Sequence, residues 1–326
     1  MENSVNVNQK TFLGHPMGLF ILFFTELWER FSYYGMRAIL VLYLVSETSG
    51  DNPGMGWSDS SALALYGWYT MFVYLATIPG GILADRYLGQ RKSVMLGGLL
   101  LCFGHGILAL EALWAFYTGL VFIVLGVGCL KGNISTMVGG LYGKDDHNKR
   151  DMGFYIFYMG INIGAAVSAL LVGYIGEVYN WHYGFGLAGI GMAIGQIGYW
   201  KGQKYLTHVG NLIKLEPNKE DKSDNLFLQI FKKTNSLVGF SVTALIGLFI
   251  GYSGSWDYGL LFIGIAFAVG FAIVVYNDGN KIEKDRILVT YLAFLIVIVF
   301  WGAFEQAGGL MNLYASQKTD LALGSF

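Results

Sequence analysis

Charge is what this sequence has least of. Only 13% of its 326 residues are Asp, Glu, Lys or Arg, against 54% hydrophobic and 16% aromatic. An ordinary soluble domain carries about 25% charged residues, so the composition excludes that class. The formal net charge of −1 says nothing about partners, and nucleic acid is not expected among them. Cysteine is almost absent too. Cys102 and Cys129 both lie inside apolar runs and read as buried free thiols, not as a disulfide framework. No Gly-Lys-Ser/Thr phosphate loop occurs, which excludes ATP as an energy source. The scattered His, Cys, Asp and Glu residues lack metal-ligand spacing. The first apolar stretch has no small-residue cleavage site, so it does not read as a removable signal peptide.

What the chain has instead is a series of apolar runs of about 17 to 28 residues, long enough to cross roughly 30 Å of hydrocarbon. They fall near 18–46, 62–84, 93–110, 113–137, 153–176, 183–205, 237–253, 258–276 and 287–311. These nine predicted spans describe an all-α polytopic membrane protein. Residues 1–15 read as a polar cytoplasmic tail and 16–206 as a six-helix bundle. A charged linker follows at 207–236, then a helix pair at 237–276, and a single further helix within 277–326. Lys and Arg set the orientation. With the N-terminus in the cytoplasm, 17 of the 21 cations lie inside, Lys318 lies outside, and Arg30, Arg37 and Lys131 lie within the membrane. Glycine pairs such as Gly160/Gly164 and Gly191/Gly195 read as points where helix backbones approach closely. Trp57, Trp68, Tyr179 and Trp181 read as interfacial anchors, and His105 as a packed, hydrogen-bonded residue.

The first span carries the chemistry. It holds Glu26, Glu29, Arg30 and Arg37, and a charge at bilayer depth costs roughly 2.5 to 3.5 kcal/mol on insertion scales. At about 100° per residue, positions 26, 29, 30, 33 and 37 share an arc of about 100°. One face therefore presents two carboxylates, two guanidiniums and the Tyr33 phenol. Lys131 in the fourth span, Asn162 in the fifth and Glu305 in the ninth add polar groups at depth. The six embedded charges sum to zero, as a buried network requires if each is to be paired. A carboxyl beside Arg or Lys is held ionised, and moving the cation away lets it take a proton. Helix rearrangement can thereby be tied to protonation. Between the second and third spans, Asp85-Arg86 and Arg91-Lys92 form a charge latch at helix ends.

These residues carry a resemblance. The loop from Gly80 to Lys92 is similar to the signature loop of the major facilitator superfamily. Glu26-Leu-Trp-Glu29-Arg30-Phe31-Ser-Tyr33-Tyr34-Gly35 resembles the ExxERFxYYG motif of the proton-dependent oligopeptide transporter family. Phe157-Tyr158-Met-Gly-Ile161-Asn162-Ile-Gly164 resembles its FYxxINxG motif, and Phe300-Trp301-Gly-Ala-Phe304-Glu305-Gln306 its FWxxFEQ motif. The four motifs stand in the family's order, and bacterial members insert a helix pair where 237–276 lies here.

The resemblance implies import of di- and tripeptides driven by inward proton flow, by alternating access between two bundles in the bacterial plasma membrane. It implies a carrier, not an enzyme, with protons as the coupling ion, no cofactor, and a monomeric functional unit. By position, Glu26, Glu29 and Arg30 take part in proton coupling, with Lys131 as their switching partner. Arg37 and Lys131 attract the peptide carboxylate, while Tyr33, Tyr34, Tyr74 and Asn162 line the central site. Glu305 couples protonation to the outer gate, and Asp85 and Arg86 belong to the inner latch. Two departures stand out. Gly132 follows Lys131 where the family often has proline. The family's second bundle is missing after its first helix, so a truncated protein is expected, one that does not transport alone. The charge network by itself does not separate a peptide carrier from a same-fold carrier of nitrate or another small anion. A polytopic membrane enzyme and a non-transporting module are the alternatives of a different class.

Overall fold

The computed structural model describes residues 10–143, 145–212 and 234–319. Most of the predicted tail, most of the 207–236 linker and the last seven residues lie outside them. Two compact units result, one of residues 1–213 with 305–326 and one of 214–304.

The first unit begins with a two-rung hairpin, β1 (Thr11–Phe12) against β2 (His15–Pro16), where a featureless tail was expected. Leu13 and Gly14 turn it through positive φ values of 49° and 79°, and Met17 N–H closes it onto the Lys10 carbonyl at 2.9 Å. α1 (Met17–Val45) follows. Its last carbonyls, which have no partner within a helix, are satisfied by the loop beyond. Met55 N–H donates to Tyr43 O at 3.0 Å and Trp57 N–H to Leu44 O at 2.8 Å. The same loop carries a clamp that sequence reasoning missed. The Asn52 amide donates to Gly176 O at 2.8 Å, and its Oδ1 accepts from Trp181 N–H at 3.1 Å. Trp181 is buried and gives its Nε1–H to Asn52 O at 3.1 Å, so it is a core residue and not an interfacial anchor.

The second span is bent. It comprises α2 (Asp59–Leu75), α3 (Thr77–Leu83) and a π turn over Ala84–Leu88. Pro79 is the cause, because it has no N–H to give to Leu75 O and its ring crowds that carbonyl. Thr77 Oγ1 donates to Tyr74 O at 2.6 Å and secures the bend. α4 (Gln90–Leu108), α5 (Leu113–Gly140), α6 (His147–Val178) and α7 (Trp181–Gly202) complete the bundle. α4 and α5 cross almost backbone on backbone. A Cβ on Gly97 would sit 2.6 Å from Gly126 O, and one on Gly119 would sit 2.9 Å from Gly104 O. Gly160 and Gly164 receive Phe23 and the Leu27 carbonyl of α1, while Gly191 and Gly195 receive Phe31 and Trp28. Both pairs are thus packing sites that let α6 and α7 enclose α1. His105 is fully buried, and neither ring nitrogen has a hydrogen-bond partner among the described residues.

The second unit contains α8 (Thr234–Ser253), α9 (Trp256–Asp278) and α10 (Lys281–Phe304). α8 and α9 meet through Gly247, Gly251 and Gly259 and through the Phe240–Phe267 ring pair at 4.8 Å. A reciprocal cap opens α10: Asn280 N–H donates to Glu283 Oε2 at 2.8 Å, and Glu283 N–H to Asn280 Oδ1 at 3.0 Å. The ninth span is not one helix to residue 311. It ends at Phe304, tightens into a 3-10 turn over Glu305–Gly308, and resumes as α11 (Leu310–Lys318). Gly309 N–H bonds Gln306 O at 3.0 Å. Among the described residues, five stretches are long and apolar enough to cross a membrane: Asp59–Leu88, Leu113–Gly140, His147–Val178, Tyr258–Asn277 and Lys281–Gly308. α1 has the length at 29 residues, but its four charges exclude it from a purely apolar span.

The glycine contacts give a paired prediction. Gly97→Leu should destabilise the purified protein by about 1 to 3 kcal/mol, whereas Gly132→Ala, which faces open space, should leave thermal unfolding unchanged or slightly raised. Equal losses in a detergent melting series would contradict this packing.

Candidate functional site

The predicted polar face of α1 is buried. Glu26, Glu29, Arg30 and Arg37 are 1%, 0%, 6% and 4% exposed, and Tyr33 is 3% exposed. The helix keeps its charges from water by placing them inside the bundle. Arg30 Nε donates to Glu26 Oε1 at 2.7 Å and lies 3.1 Å from Glu29 Oε2. One guanidinium thus serves two carboxylates, and this cluster carries one negative charge in excess. Glu26 Oε2 and both Glu29 oxygens accept no hydrogen bond among the described residues.

Arg37 lies two turns further along and is paired elsewhere. Its Nη1 is 2.8 Å from Glu305 Oε2, and Nη2 donates to the Tyr66 hydroxyl. Tyr66 in turn donates to the Glu305 carbonyl at 2.9 Å. Arg37 Nη2 also reaches this carbonyl at 3.4 Å. Gly308 and Gly309 allow the approach, since a Cβ on Gly308 would stand 2.6 Å from Tyr66 Oη. α11 extends the contact: Asn312 donates to Ala38 O at 2.7 Å, and Gln317 reaches Asp59 Oδ1 at 3.3 Å. The guanidinium of Arg37 also faces the rings of Tyr33, Tyr34 and Tyr66 at 5.7, 5.5 and 5.5 Å. Such contacts suit a planar, weakly hydrated cation.

Lys131 is not inserted among the α1 carboxylates. Its Nζ sits 4.1 Å from the centre of the Tyr74 ring, and Tyr74 Oη donates to Glu305 Oε1 at 2.8 Å. α5 runs unbroken through Gly132, whose Cα faces open space; the close crossing with α3 falls at Gly128 and Gly80 instead. Asn162 is exposed and spends its amide on Tyr158 O at 3.0 Å within its own helix. Asp85 and Arg86 lie exposed in the π turn, away from the charge cluster. The structure therefore brings together Glu26, Glu29 and Arg30 in one group. Arg37, Tyr33, Tyr74, Lys131 and Glu305 form a second, and the Tyr34 ring lies between the two, 5.8 Å from the Arg30 guanidinium and 5.5 Å from that of Arg37. Tyr66 belongs to that second group and was not foreseen; its position two turns before Tyr74 on the same helix was the available signal.

A model described as the POT family matches residues 91–326. The chain belongs to the POT family. It is 40% identical over 335 residues to a di-/tripeptide transporter of Lactococcus lactis subsp. cremoris, an alignment covering 98% of this chain and 65% of that protein. A crystal structure of a peptide transporter POT in complex with sulfate superposes with a TM-score of 0.77 at 36% identity, covering 98% of this chain and 64% of the other. A POT family transporter in complex with a thioalcohol conjugated peptide gives 0.77 at 33% identity, covering 98% and 65%. This chain thus spans about 65% of the length of the curated relatives it matches. The fold is that of the major facilitator superfamily as POT proteins build it: a six-helix first bundle, an inserted pair, and the first helix of a second bundle.

The charge arithmetic of this POT chain makes a stability prediction with opposite signs. Arg30→Gln leaves two buried carboxylates without a cation and should cost about 3 to 5 kcal/mol. Glu29→Gln removes the excess charge and should melt at or above the wild-type temperature. Thermal unfolding of the two purified variants decides it, and a Glu29→Gln loss as large as that of Arg30→Gln would refute the excess-charge account.

Proposed function

We propose that this protein works as a proton-coupled symporter that imports di- and tripeptides by alternating access. It would sit in the bacterial plasma membrane with its N-terminus cytoplasmic and act as a monomeric carrier. The observation that carries this reading is the Arg30 guanidinium shared by Glu26 and Glu29 at membrane depth. A buried cluster with one carboxylate too many is neutralised either by a proton or by a second cation. Lys131 is the second cation within reach of the helix interior, and here it rests on Tyr74 instead. Proton occupancy of the cluster and the position of Lys131 are then alternatives, and each biases the other. That exclusion is what couples a proton to a helix movement.

Substrate enters the same arrangement through charge. Arg37 offers a planar fork that suits a peptide's terminal carboxylate, and Glu305 occupies it in this conformation. A peptide carboxylate arriving at Arg37 competes with Glu305, and protonating Glu305 removes the competitor. We assign the Arg37–Glu305 pair, with Tyr66 holding the Glu305 carbonyl, to the outer gate. Tyr33, Tyr34 and Tyr74 line the space beside it. Asp85 and Arg86, in the turn that ends the bent second span, suit the inner latch. Protons are the coupling ion and no cofactor is required. The Lactococcus relative's description as a di-/tripeptide transporter and the peptide conjugate bound in a related structure support the substrate class.

The test is uptake of labelled dialanine by the full-length protein in proteoliposomes with the outside acidic. Accumulation that a protonophore abolishes, competed by other dipeptides but not by free alanine, is expected. Glu29→Gln should retain exchange of peptide across the membrane while losing uphill accumulation by at least about tenfold, the factor that 1.4 kcal/mol of coupling represents. No uptake by confirmed full-length protein would overturn the peptide assignment and leave a small anion such as nitrate as the cargo to measure.

A further inference from the structure

We propose that Tyr74 is a positioning residue through which Lys131 controls the Arg37–Glu305 pair. Its ring takes the Lys131 ammonium at 4.1 Å, while its hydroxyl holds Glu305 Oε1 at 2.8 Å. The two contacts use the face and the hydroxyl of one rigid phenol and reinforce each other. A cation on the ring face draws electron density from the phenol and makes its O–H a better donor to the carboxylate. When Lys131 leaves the ring, for the α1 carboxylates or for a bound anion, the grip on Glu305 weakens and the ion pair with Arg37 loses its second support.

The backbone fixes this phenol where both partners can reach it. Tyr74 lies at the end of α2, one residue before the carbonyl that Pro79 leaves without its helical donor, and its own carbonyl is tied by Thr77 Oγ1 at 2.6 Å. Gly128 brings α5 onto the bend, since a Cβ there would meet Ala76 O at 2.5 Å. Lys131 follows three residues later, so helix packing sets the register of ammonium over ring. Glu305 is delivered from the other side by its 3-10 turn. Tyr74 thus does more than line a binding site, and a substrate that takes its O–H must take it from Glu305.

The inference rests on the reading of Arg37–Glu305 as the outer gate, and its test needs no substrate. Pyrene is attached at Ser60→Cys on α2 and Ser316→Cys on α11, in full-length protein with Cys102→Ala and Cys129→Ala. Excimer emission then reports the closed contact between these ends. Tyr74→Phe keeps the ring and removes the hydroxyl, and should raise the open-to-closed ratio about tenfold, as expected for one charge-assisted hydrogen bond. Lys131→Gln should open the gate in the same sense, the double variant should open it no further, and Lys131→Arg should restore the wild-type signal. A wild-type signal in Tyr74→Phe, a response to Tyr74→Phe but not to Lys131→Gln, or additive effects in the double variant would each overturn the proposal. Absence of peptide uptake with this pattern intact would count against the peptide assignment alone.

Discussion

One guanidinium set between two carboxylates is the constraint on which the rest of this molecule depends. Arg30 at 2.7 Å from Glu26 and 3.1 Å from Glu29 can be kept in a membrane only if water and lipid are held away while the charges hold one another. The bundle does this by burying α1 behind α6 and α7, whose glycines accept the aromatic side chains and backbone of α1. Replacing such a cluster with apolar side chains is often neutral or stabilising. Its retention is therefore better explained by what an excess carboxylate can do than by what it contributes to stability.

Packing and chemistry are linked at two irregular points of the helices. Pro79 bends the second span just beyond Tyr74, and Gly308-Gly309 lets the chain after α10 tighten and present the Glu305 carbonyl and carboxylate together. Neither point is a regular α-helix, and at each one a side chain bonds a backbone carbonyl. Thr77 bonds the Tyr74 carbonyl, while Tyr66 and Arg37 bond that of Glu305. Breaking the second of these costs hydrogen bonds at the Arg37–Glu305 pair, which makes it a suitable place for a gate.

Much of this was legible in the sequence. The charged arc of α1 needed only helical spacing and the cost of burial, and all five of its residues are buried as that argument requires. The glycine pairs were read as close approaches, and they are. The partners of the charges were less legible. Zero net charge suggested six groups in matched pairs, but pairing depends on helix register and direction. The register puts both Glu26 and Glu29 on Arg30 and sends Lys131 to a tyrosine ring. Asn162 had the right depth, yet its amide is spent on its own helix. The break at Glu305 was less legible because Phe300 to Phe304 continues the apolar run; Gly308-Gly309 was the signal that the helix need not run unbroken to Met311. Asn52 carries no signal in the sequence, since a clamp is defined by the backbone it meets, and Tyr66 carries only its spacing two turns before Tyr74.

The central claim is that the α1 cluster binds a proton because it holds one carboxylate more than its guanidinium can neutralise. Infrared difference spectroscopy of the full-length protein across a pH step tests it most directly, since a carboxylic acid C=O band is resolved from carboxylate bands. The account predicts a pH-dependent carboxylic acid signal with an α1 component that is lost in Glu29→Gln or Glu26→Gln and kept in Glu305→Gln. A band unaffected by either α1 substitution, or none at any pH at which the protein stays folded, would contradict it.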